Sequence, residues 1–385
     1  MKAIRKILDN VKPHVQKGGK FEKFHSTFDA FESFLFVPNE VTKNGTHIRD
    51  CIDLKRTMSV VVMALMPALF FGMWNTGYLH FLSIGETNAS FFDMFFYGLF
   101  KVMPLVAVSY IAGLGAEFVF AQIRGHEVNE GFLVSGMIIP LIVPIDVPLW
   151  MLAVATIFSV IIGKEVFGGT GMNIVNPALL ARAFLFFAYP SKMSGDKIWI
   201  TDLENGKNIV DGFSGATPLG DATANIDPSA LPSTLEMFMG TIPGSVGETS
   251  VLMILIGAFI LIYTGIASWK IMLSGTLGGF IMAILMFFLD PSSYTQIMPY
   301  QHLFLGGFAF GIVFMATDPV TASQTEKGKW IYGFLVGFLA ILVRVLNPAY
   351  PEGMMLAILL MNVFAPLIDY YVVEGNIKKR LKRAK

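Results

Sequence analysis

The chain has 385 residues, of which 54% are hydrophobic and only 15% are charged, whereas soluble domains carry about 25% charged residues. This composition excludes an ordinary soluble globular protein and indicates an integral membrane protein. The 28 basic and 28 acidic residues cancel, so the chain has no net positive charge with which to bind nucleic acid. One cysteine and six scattered histidines exclude an internal disulfide and leave no zinc, haem or iron–sulfur ligation pattern.

Both ends of the chain are polar and basic. The N-terminal segment, residues 1–57, carries eleven Lys and Arg residues, and a second basic segment covers residues 374–385. The positive-inside rule places both ends in the cytoplasm and requires an even number of membrane spans. The first long apolar run begins near Met58, behind a polar segment too long for a signal peptide, so we expect no cleavable leader.

Ten apolar runs follow and predict an all-α protein with about ten transmembrane helices. The first five runs lie in residues 58–189, the last five lie in residues 249–373, and a polar loop at 190–248 separates them. The third, fifth and eighth runs are shorter than the about 20 residues that a spanning helix needs, and Gly, Pro or Asn residues interrupt them. The ten runs cover residues 58–74, 102–122, 131–145, 149–163, 176–189, 249–267, 271–289, 302–316, 330–346 and 354–373.

The two halves contain related segments. Val175–Ala178 recurs as Leu346–Ala349 after 171 residues, and Gly131–Val134 resembles Gly307–Phe310 after 176 residues. Both offsets correspond to five spans, and because five is odd, the second copy crosses the membrane in the opposite sense. The sequence therefore predicts two inverted five-helix repeats with short or broken helices, whose site lies near the middle of the membrane.

The 190–248 loop contains a stretch of small and hydroxylated residues. Span parity places this loop outside the cytoplasm. An exposed hydroxyl in such a stretch is accessible to a modifying enzyme, and Gly215 permits turns that other residues cannot adopt. The alternative is a surface turn without a further role. The stretch reads Asp211-Gly212-Phe213-Ser214-Gly215-Ala216-Thr217-Pro218.

A glycine-rich run, Gly168–Gly171, precedes the fifth apolar run. It is not a dinucleotide-binding fingerprint, because the hydropathy profile leaves no place for a βαβ unit. It predicts either a flexible turn or an unwound segment in which Gly169, Asn173 and Asn176 bind a polar ligand at a helix N-terminus. Just before it, adjacent Glu165 and Lys164 are predicted to form a local ion pair.

Three carboxylates lie in or beside apolar runs, namely Glu117, Asp318 and Asp369. A carboxylate at membrane depth is costly unless it faces a polar cavity or a partner. Sodium prefers oxygen ligands, so these three residues are candidates for a sodium pathway. The alternative is a structural role, in which each carboxylate caps a helix or pairs with a neighbour such as Arg182 or Arg344.

Aromatic and apolar residues in the third and eighth runs form a candidate gate. Phe310 and Phe314 share one face of the eighth run, and Val134 and Met137 share one face of the third. An apolar constriction between these two runs could block ions by dewetting. Ordinary core packing explains the same spacing.

The stretch around Thr217 resembles the flavinylation motif of a family that comprises the B subunit of the sodium-translocating NADH:quinone oxidoreductase and the D subunit of the RNF complex. The resemblance extends along nearly the whole chain. Its other segments are Lys17–Lys20, Val41–Lys43, Arg49–Asp50, Asp53–Arg56, His126–Gly131, Gly163–Gly171, Ala183–Pro190, Met315–Pro319 and Asn347–Gly353.

The resemblance implies the cofactors and partners of the chain. FMN is joined through its phosphate to Thr217 in this family, so Asp211, Ser214, Gly215 and Ala216 are expected to form the recognition motif. Noncovalent riboflavin is assigned to the loop with Gly169, Asn173 and Asn176. The implied activity is sodium export from a bacterium across its inner membrane, driven by electrons that pass from NADH on another subunit to ubiquinone.

A quinone site is expected near the cytoplasmic surface. A lipid-soluble quinone needs an apolar, aromatic entrance close to the headgroups, and the Glu130-Gly131-Phe132 turn lies at that level. Phe28 belongs to an aromatic N-terminal stretch that is predicted to form an interfacial helix beside it. Packing of this stretch against a partner subunit is the equal alternative.

The resemblance thus implies an oxidoreductase and translocase subunit within a hetero-oligomeric membrane complex. The long polar N-terminus favours the quinone-linked member of the family over the RNF D subunit. The alternative from another class is a passive channel or transporter of small polar solutes with the same architecture and no flavin.

Overall fold

The computed structural model describes residues 2–15, 28, 45, 54–86, 88–124, 131–203, 209–210, 213–223, 231–289, 297–347 and 352–383. These residues form helices, turns and irregular loops, and they contain no β-strand. The all-α prediction is confirmed. Two of the candidate residues, Asp211 and Glu130, lie outside the described residues.

The helices are numbered here in chain order. They are α1 (Lys2–Val15), α2 (Leu54–Ser83), α3 (Phe91–Arg124), α4 (Phe132–Ile142), α5 (Leu149–Gly163), α6 (Pro177–Ala188), α7 (Pro218–Thr223), α8 (Thr234–Met239), α9 (Val251–Tyr263), α10 (Trp269–Leu289), α11 (Phe308–Phe310), α12 (Glu326–Leu346) and α13 (Met354–Arg383).

Within the part of the chain that the structure describes, six helical segments are long and apolar enough to cross a membrane: α2, α3, α10, α12, α13, and α5 together with the turn that follows it. The helices α4, α6 and α9 are apolar but contain only 11, 12 and 13 residues. The chain is therefore a multi-pass membrane protein with several short helices. Helix α9 is shorter than the predicted run at 249–267. Gly265 adopts a left-handed φ of 72°, and the helix ends before it.

The eighth apolar run is the most irregular. It contains only the three α-helical residues of α11, which continue directly as a π-helical turn at Gly311–Met315. Ala316 N–H donates to the Gly311 carbonyl at 2.8 Å, which is the i→i+5 bond of that turn. Gly306 and Gly307 precede it with φ of 60° and 67°, so the break at this position requires glycine.

The helices α2 and α3 are longer than their predicted runs, with 30 and 34 residues. Their extensions pack against each other beyond the apolar parts. The ring of His80 stacks on that of Tyr97 with centroids 4.1 Å apart. Helix α1 was not predicted, although the spacing of Ile4, Leu8 and Val11 is typical of an amphipathic helix.

Candidate functional site

A cavity of about 340 Å³ lies beside Thr217. We call it the Thr217 cavity. Three aromatic side chains, one buried carboxylate, one half-buried carboxylate and several glycines line it, so it offers both apolar walls and polar groups to a ligand. The lining residues that matter here are Phe186, Trp199, Thr217, Thr249, Phe304, Gly306, Gly307, Glu248 and Glu352.

Thr217 stands at the entry to helix α7. Its Oγ1 accepts a hydrogen bond from the Gly220 N–H at 3.2 Å, as an N-cap residue does. Thr217 is half-buried, whereas Ser214 is exposed and accepts a bond from the Ala216 N–H at 3.2 Å. The structure thus places the hydroxyl of Thr217, and not that of Ser214, at the wall of the cavity.

The expected reason for Gly215 is wrong. Gly215 is not among the residues with positive φ, so no unusual turn requires it. A Cβ at this position would lie 2.4 Å from the Asp196 carbonyl oxygen and 2.5 Å from a Leu203 methyl. Glycine is needed because the chain passes close to the preceding part of the loop.

An ion pair ties this loop to helix α3. Asp202 accepts hydrogen bonds from the Lys101 ammonium at 2.8 Å and from the Tyr97 hydroxyl at 2.9 Å. The Lys101 ammonium holds the pKa of the Asp202 carboxyl below its usual value.

A buried charge network forms part of the Thr217 cavity. Arg182 in α6 donates to both oxygens of Glu248 at 3.0 and 3.2 Å, and its other nitrogen pairs with Glu352. Ser245 also donates to Glu248. Glu248 and Glu352 were missed as site residues, although Glu352 belongs to the segment Asn347–Gly353 that carries the family resemblance.

A second buried arginine, Arg344 in α12, stabilises the break before α11. It is 0% exposed, and it donates to the backbone carbonyls of His302 at 2.6 Å and Leu305 at 3.0 Å. Arginine partners were suggested for the three carboxylates of the apolar runs. Among the contacts of the described residues, Arg182 and Arg344 bind other groups instead.

A smaller cavity of about 80 Å³ brings together residues that were predicted for separate roles. We call it the asparagine cavity. Its volume is below the about 300–1,000 Å³ of typical small-molecule pockets. The candidate residues that line it are Gly131, Val134, Asn173, Asn176, Phe314 and Asp318, together with Lys164 and Thr170.

The two asparagines have different local roles. Asn176 is the N-cap of α6 and accepts from the Ala178 N–H at 2.9 Å, with Pro177 at the first helical position. Asn173 donates to the Val175 carbonyl at 3.2 Å. Gly169 does not line the cavity, and its φ of 97° explains why glycine occupies this turn.

The candidate quinone residues are only partly brought together. Phe132 is 1% exposed, and a Cβ at Gly113 would lie 1.9 Å from its ring, so the ring fills a gap against α3. Gly131 lines the asparagine cavity. Phe28 is half-buried in helical conformation, but its sequence neighbours lie outside the described residues.

The local pairing predicted for Lys164 is wrong. The Lys164 ammonium pairs with the Glu117 carboxylate, and both side chains are about 95% buried, at 5% and 4% exposure. Glu165 instead lies 3.5 Å from the Arg124 guanidinium. The packing of α3 against α5 brings these partners together, whereas sequence proximity suggested Glu165.

The other two carboxylates support helix and turn termini. Asp318 lines the asparagine cavity and accepts from the Thr321 hydroxyl at 2.8 Å and the Val320 N–H at 3.2 Å. Asp369 in α13 accepts from the N–H groups of Gln324 at 2.7 Å and Thr325 at 2.9 Å, just before α12. Asp369 does not line either cavity.

The two cavities lie at opposite ends of the same short helices. The N-cap of α6, Asn176, lines the asparagine cavity, and the helix leads to Phe186 in the Thr217 cavity. Helix α9 runs the other way, since Thr249 just before it lines the Thr217 cavity and Leu261 near its end lines the asparagine cavity. A helix of 12 residues, such as α6, is about 18 Å long, and this length sets the approximate separation of the two cavities.

The candidate gate lies between the two cavities. Phe310 is fully buried. Its ring packs close to Gly247, beside the Thr217 cavity, since a Cβ added at Gly247 would lie 3.2 Å from the ring. Phe314 lines the asparagine cavity, and its ring centroid is 4.9 Å from that of Phe310. Val134 also lines that cavity, whereas Met137 is buried at 7% exposure.

Comparison with known proteins decides the family. Residues 41–378 match the model of the NQR2, RnfD, RnfE family. The chain belongs to this family. It is 48% identical to the B subunit of the Na(+)-translocating NADH-quinone reductase of Ectopseudomonas mendocina and 47% identical to the proteins of the same name from Stutzerimonas stutzeri and Azotobacter vinelandii. Each of these alignments covers 99% of this chain and 99% of the relative, so family membership applies to the whole length.

Proposed function

We propose that this chain is the B subunit of a sodium-translocating NADH:quinone reductase in a bacterial inner membrane. The observation that carries the proposal is full-length similarity, at 46 to 48% identity, to relatives with that name. The same similarity favours this assignment over the RNF D subunit. In such a complex the other subunits oxidise NADH, and this chain contributes flavin sites, a quinone site and part of the sodium path.

The Thr217 cavity is the proposed site of covalent FMN. The support is that Thr217 lines a cavity with aromatic walls, while Ser214 points to solvent from an exposed position. When bound, the flavin supplies one- and two-electron transfer. Thr217 provides the point of attachment for the flavin, and the cavity walls position the flavin and exclude water.

The asparagine cavity is the proposed site of riboflavin and of the inner part of the sodium path. Asn173, Asn176 and Asp318 all line it, so amide and carboxylate groups face one space. Its small volume means that a flavin ring requires the surrounding loop to open. Ubiquinone is proposed to bind near Gly131, which lines the same cavity, together with Phe28 of the N-terminal segment.

The proposed architecture is ten spans in two inverted repeats. Three pairs of helices at matching positions in the two halves support it, namely α2 with α9, α4 with α11 and α6 with α13. The members of each pair run in opposite directions between the two cavities. Helices α2, α4 and α6 begin at the asparagine cavity, α9 and α11 lead towards it, and α13 begins at the Thr217 cavity. This antiparallel arrangement is what an inverted repeat requires.

Membrane orientation can be tested with single cysteines in a Cys51→Ala background. Ser214→Cys is expected to react with a membrane-impermeant thiol reagent added outside intact cells, and Lys327→Cys is expected to react only after the cells are opened. Both positions are exposed, so burial does not confound the comparison. Reversed labelling would contradict cytoplasmic termini, and labelling of both positions from the same side would contradict the odd number of spans that the inverted repeat places between them.

The sodium path is tested by turnover against sodium concentration on the purified complex with full flavin content. Glu117→Gln is expected to raise the half-saturating sodium concentration by about tenfold or more, since a buried carboxylate that binds a cation is worth over ~1.4 kcal/mol. Asp369→Asn is expected to raise it as well. An unchanged value in both variants would remove these residues from the path.

A further inference from the structure

The ion pair between Lys164 and Glu117 is buried but incompletely satisfied. The Lys164 ammonium donates to Glu117 Oε1, whereas Glu117 Oε2 is buried and has no hydrogen-bond partner among the described residues. Removing two charges from water is expensive, and only excellent geometry with further hydrogen bonds repays that cost. One carboxylate oxygen is therefore available to a second positive group.

Lys164 is placed where it can leave Glu117. It follows the last residue of α5, and its side chain lines the asparagine cavity as well as contacting Glu117. A lysine has a flexible four-carbon stem and a compact charge, so it changes partner more readily than arginine does. The Asp318 carboxylate lines the same cavity and offers negative charge there.

A third buried oxygen lies in this region. The Thr170 Oγ1 is buried and has no hydrogen-bond partner among the described residues. Its side chain lines the asparagine cavity, as that of Lys164 does. Glu117 and Thr170 thus each have a buried oxygen atom of the type that sodium prefers, and the Lys164 ammonium now occupies the Glu117 carboxylate.

We propose that Lys164 is a tethered cation that occupies the Glu117 carboxylate when sodium is absent and is displaced when sodium binds. The exchange replaces one positive charge by another at Glu117, and the ammonium shifts towards Asp318 without gaining or losing a proton. Lys164 then sets the sodium affinity of the pump by competition. This inference rests on the proposed sodium path through Glu117.

A purely structural ion pair makes a different prediction. Under that alternative, Lys164 only ties α5 to α3, and its removal changes stability but not the response to sodium. Under competition, removal of the ammonium leaves Glu117 without its internal cation, so sodium binds more tightly. Tighter sodium binding after removal of the ammonium, as opposed to an unchanged response, distinguishes the two roles.

The first test variant is Lys164→Met in the purified complex. The half-saturating sodium concentration for quinone reduction is expected to fall by about tenfold or more. Without NADH, sodium chloride is expected to raise the thermal midpoint of this variant more than that of wild type, whereas choline chloride is not, because a cation that binds only the folded state stabilises it. Lys329→Met removes a lysine from an ion pair elsewhere, and its sodium response is expected to match that of wild type.

Lys164→Arg is the second variant, because it retains the ion pair if the methionine variant does not assemble. A guanidinium binds a carboxylate through two bonds and is harder to displace, so the half-saturating sodium concentration is expected to rise. The inference is overturned if Glu117→Gln changes the sodium response but Lys164→Arg, or an assembled Lys164→Met complex, responds to sodium as wild type does. An unaltered response in Glu117→Gln instead contradicts the underlying sodium path.

Discussion

Thr217→Ala is expected to abolish covalently bound flavin while the protein remains inserted and folded. The substitution removes the only hydroxyl of the 211–218 stretch that lines the Thr217 cavity. The structural cost is small, because the lost hydrogen bond to the Gly220 N–H is an N-cap bond worth about 1 kcal/mol. The measurement is in-gel flavin fluorescence after denaturing electrophoresis, together with the amount of protein in the membrane.

Ser214→Ala is the matched control. It removes the neighbouring hydroxyl, which is exposed, and it is expected to retain the fluorescent band. A fluorescent Thr217→Ala band would show that another residue carries the flavin. Absence of fluorescence from the wild-type protein in its own complex would instead favour a passive channel or transporter without flavin.

Arg182→Met is expected to cause the largest loss of stability. The substitution leaves the carboxylates of Glu248 and Glu352 without their shared guanidinium, and both pairs are substantially buried, with Arg182 at 6% exposure. Breaking a buried pair from one side costs about 3–5 kcal/mol, because the remaining charge is left uncompensated. The measurements are the yield of assembled complex and its thermal midpoint.

Two further variants test the cause of that loss. A triple variant that combines Arg182→Met with Glu248→Gln and Glu352→Gln is expected to recover part of the stability, since no ionised carboxylate then remains in the network. Lys329→Met, which breaks a more exposed ion pair with Glu326, is expected to change the midpoint little. If Arg182→Met were as stable as Lys329→Met, the charge network would not hold the cavity together.

Local features of the sequence predicted several parts of the fold. The Asn176-Pro177 pair marks the beginning of α6 because the asparagine caps the helix and proline suits its first turn. Helix capping depends on a residue and its immediate neighbours, so it is readable without a structure. The break at Gly306 and Gly307 was not predicted, because the apolar run at 302–316 passes through both glycines, and their left-handed φ values interrupt the helix.

The sequence by itself determined the membrane class, the approximate positions of the apolar helices and the residue that stands at the proposed flavin cavity, because composition, hydropathy and the motif around Thr217 are one-dimensional properties. Only the tertiary structure decided which charges meet. Lys164 pairs with Glu117 across 47 positions, and Arg182 pairs with Glu248 and Glu352 across 66 and 170 positions. Each buried charge finds its partner through the helix that packs against it, and sequence separation carries no information about that contact.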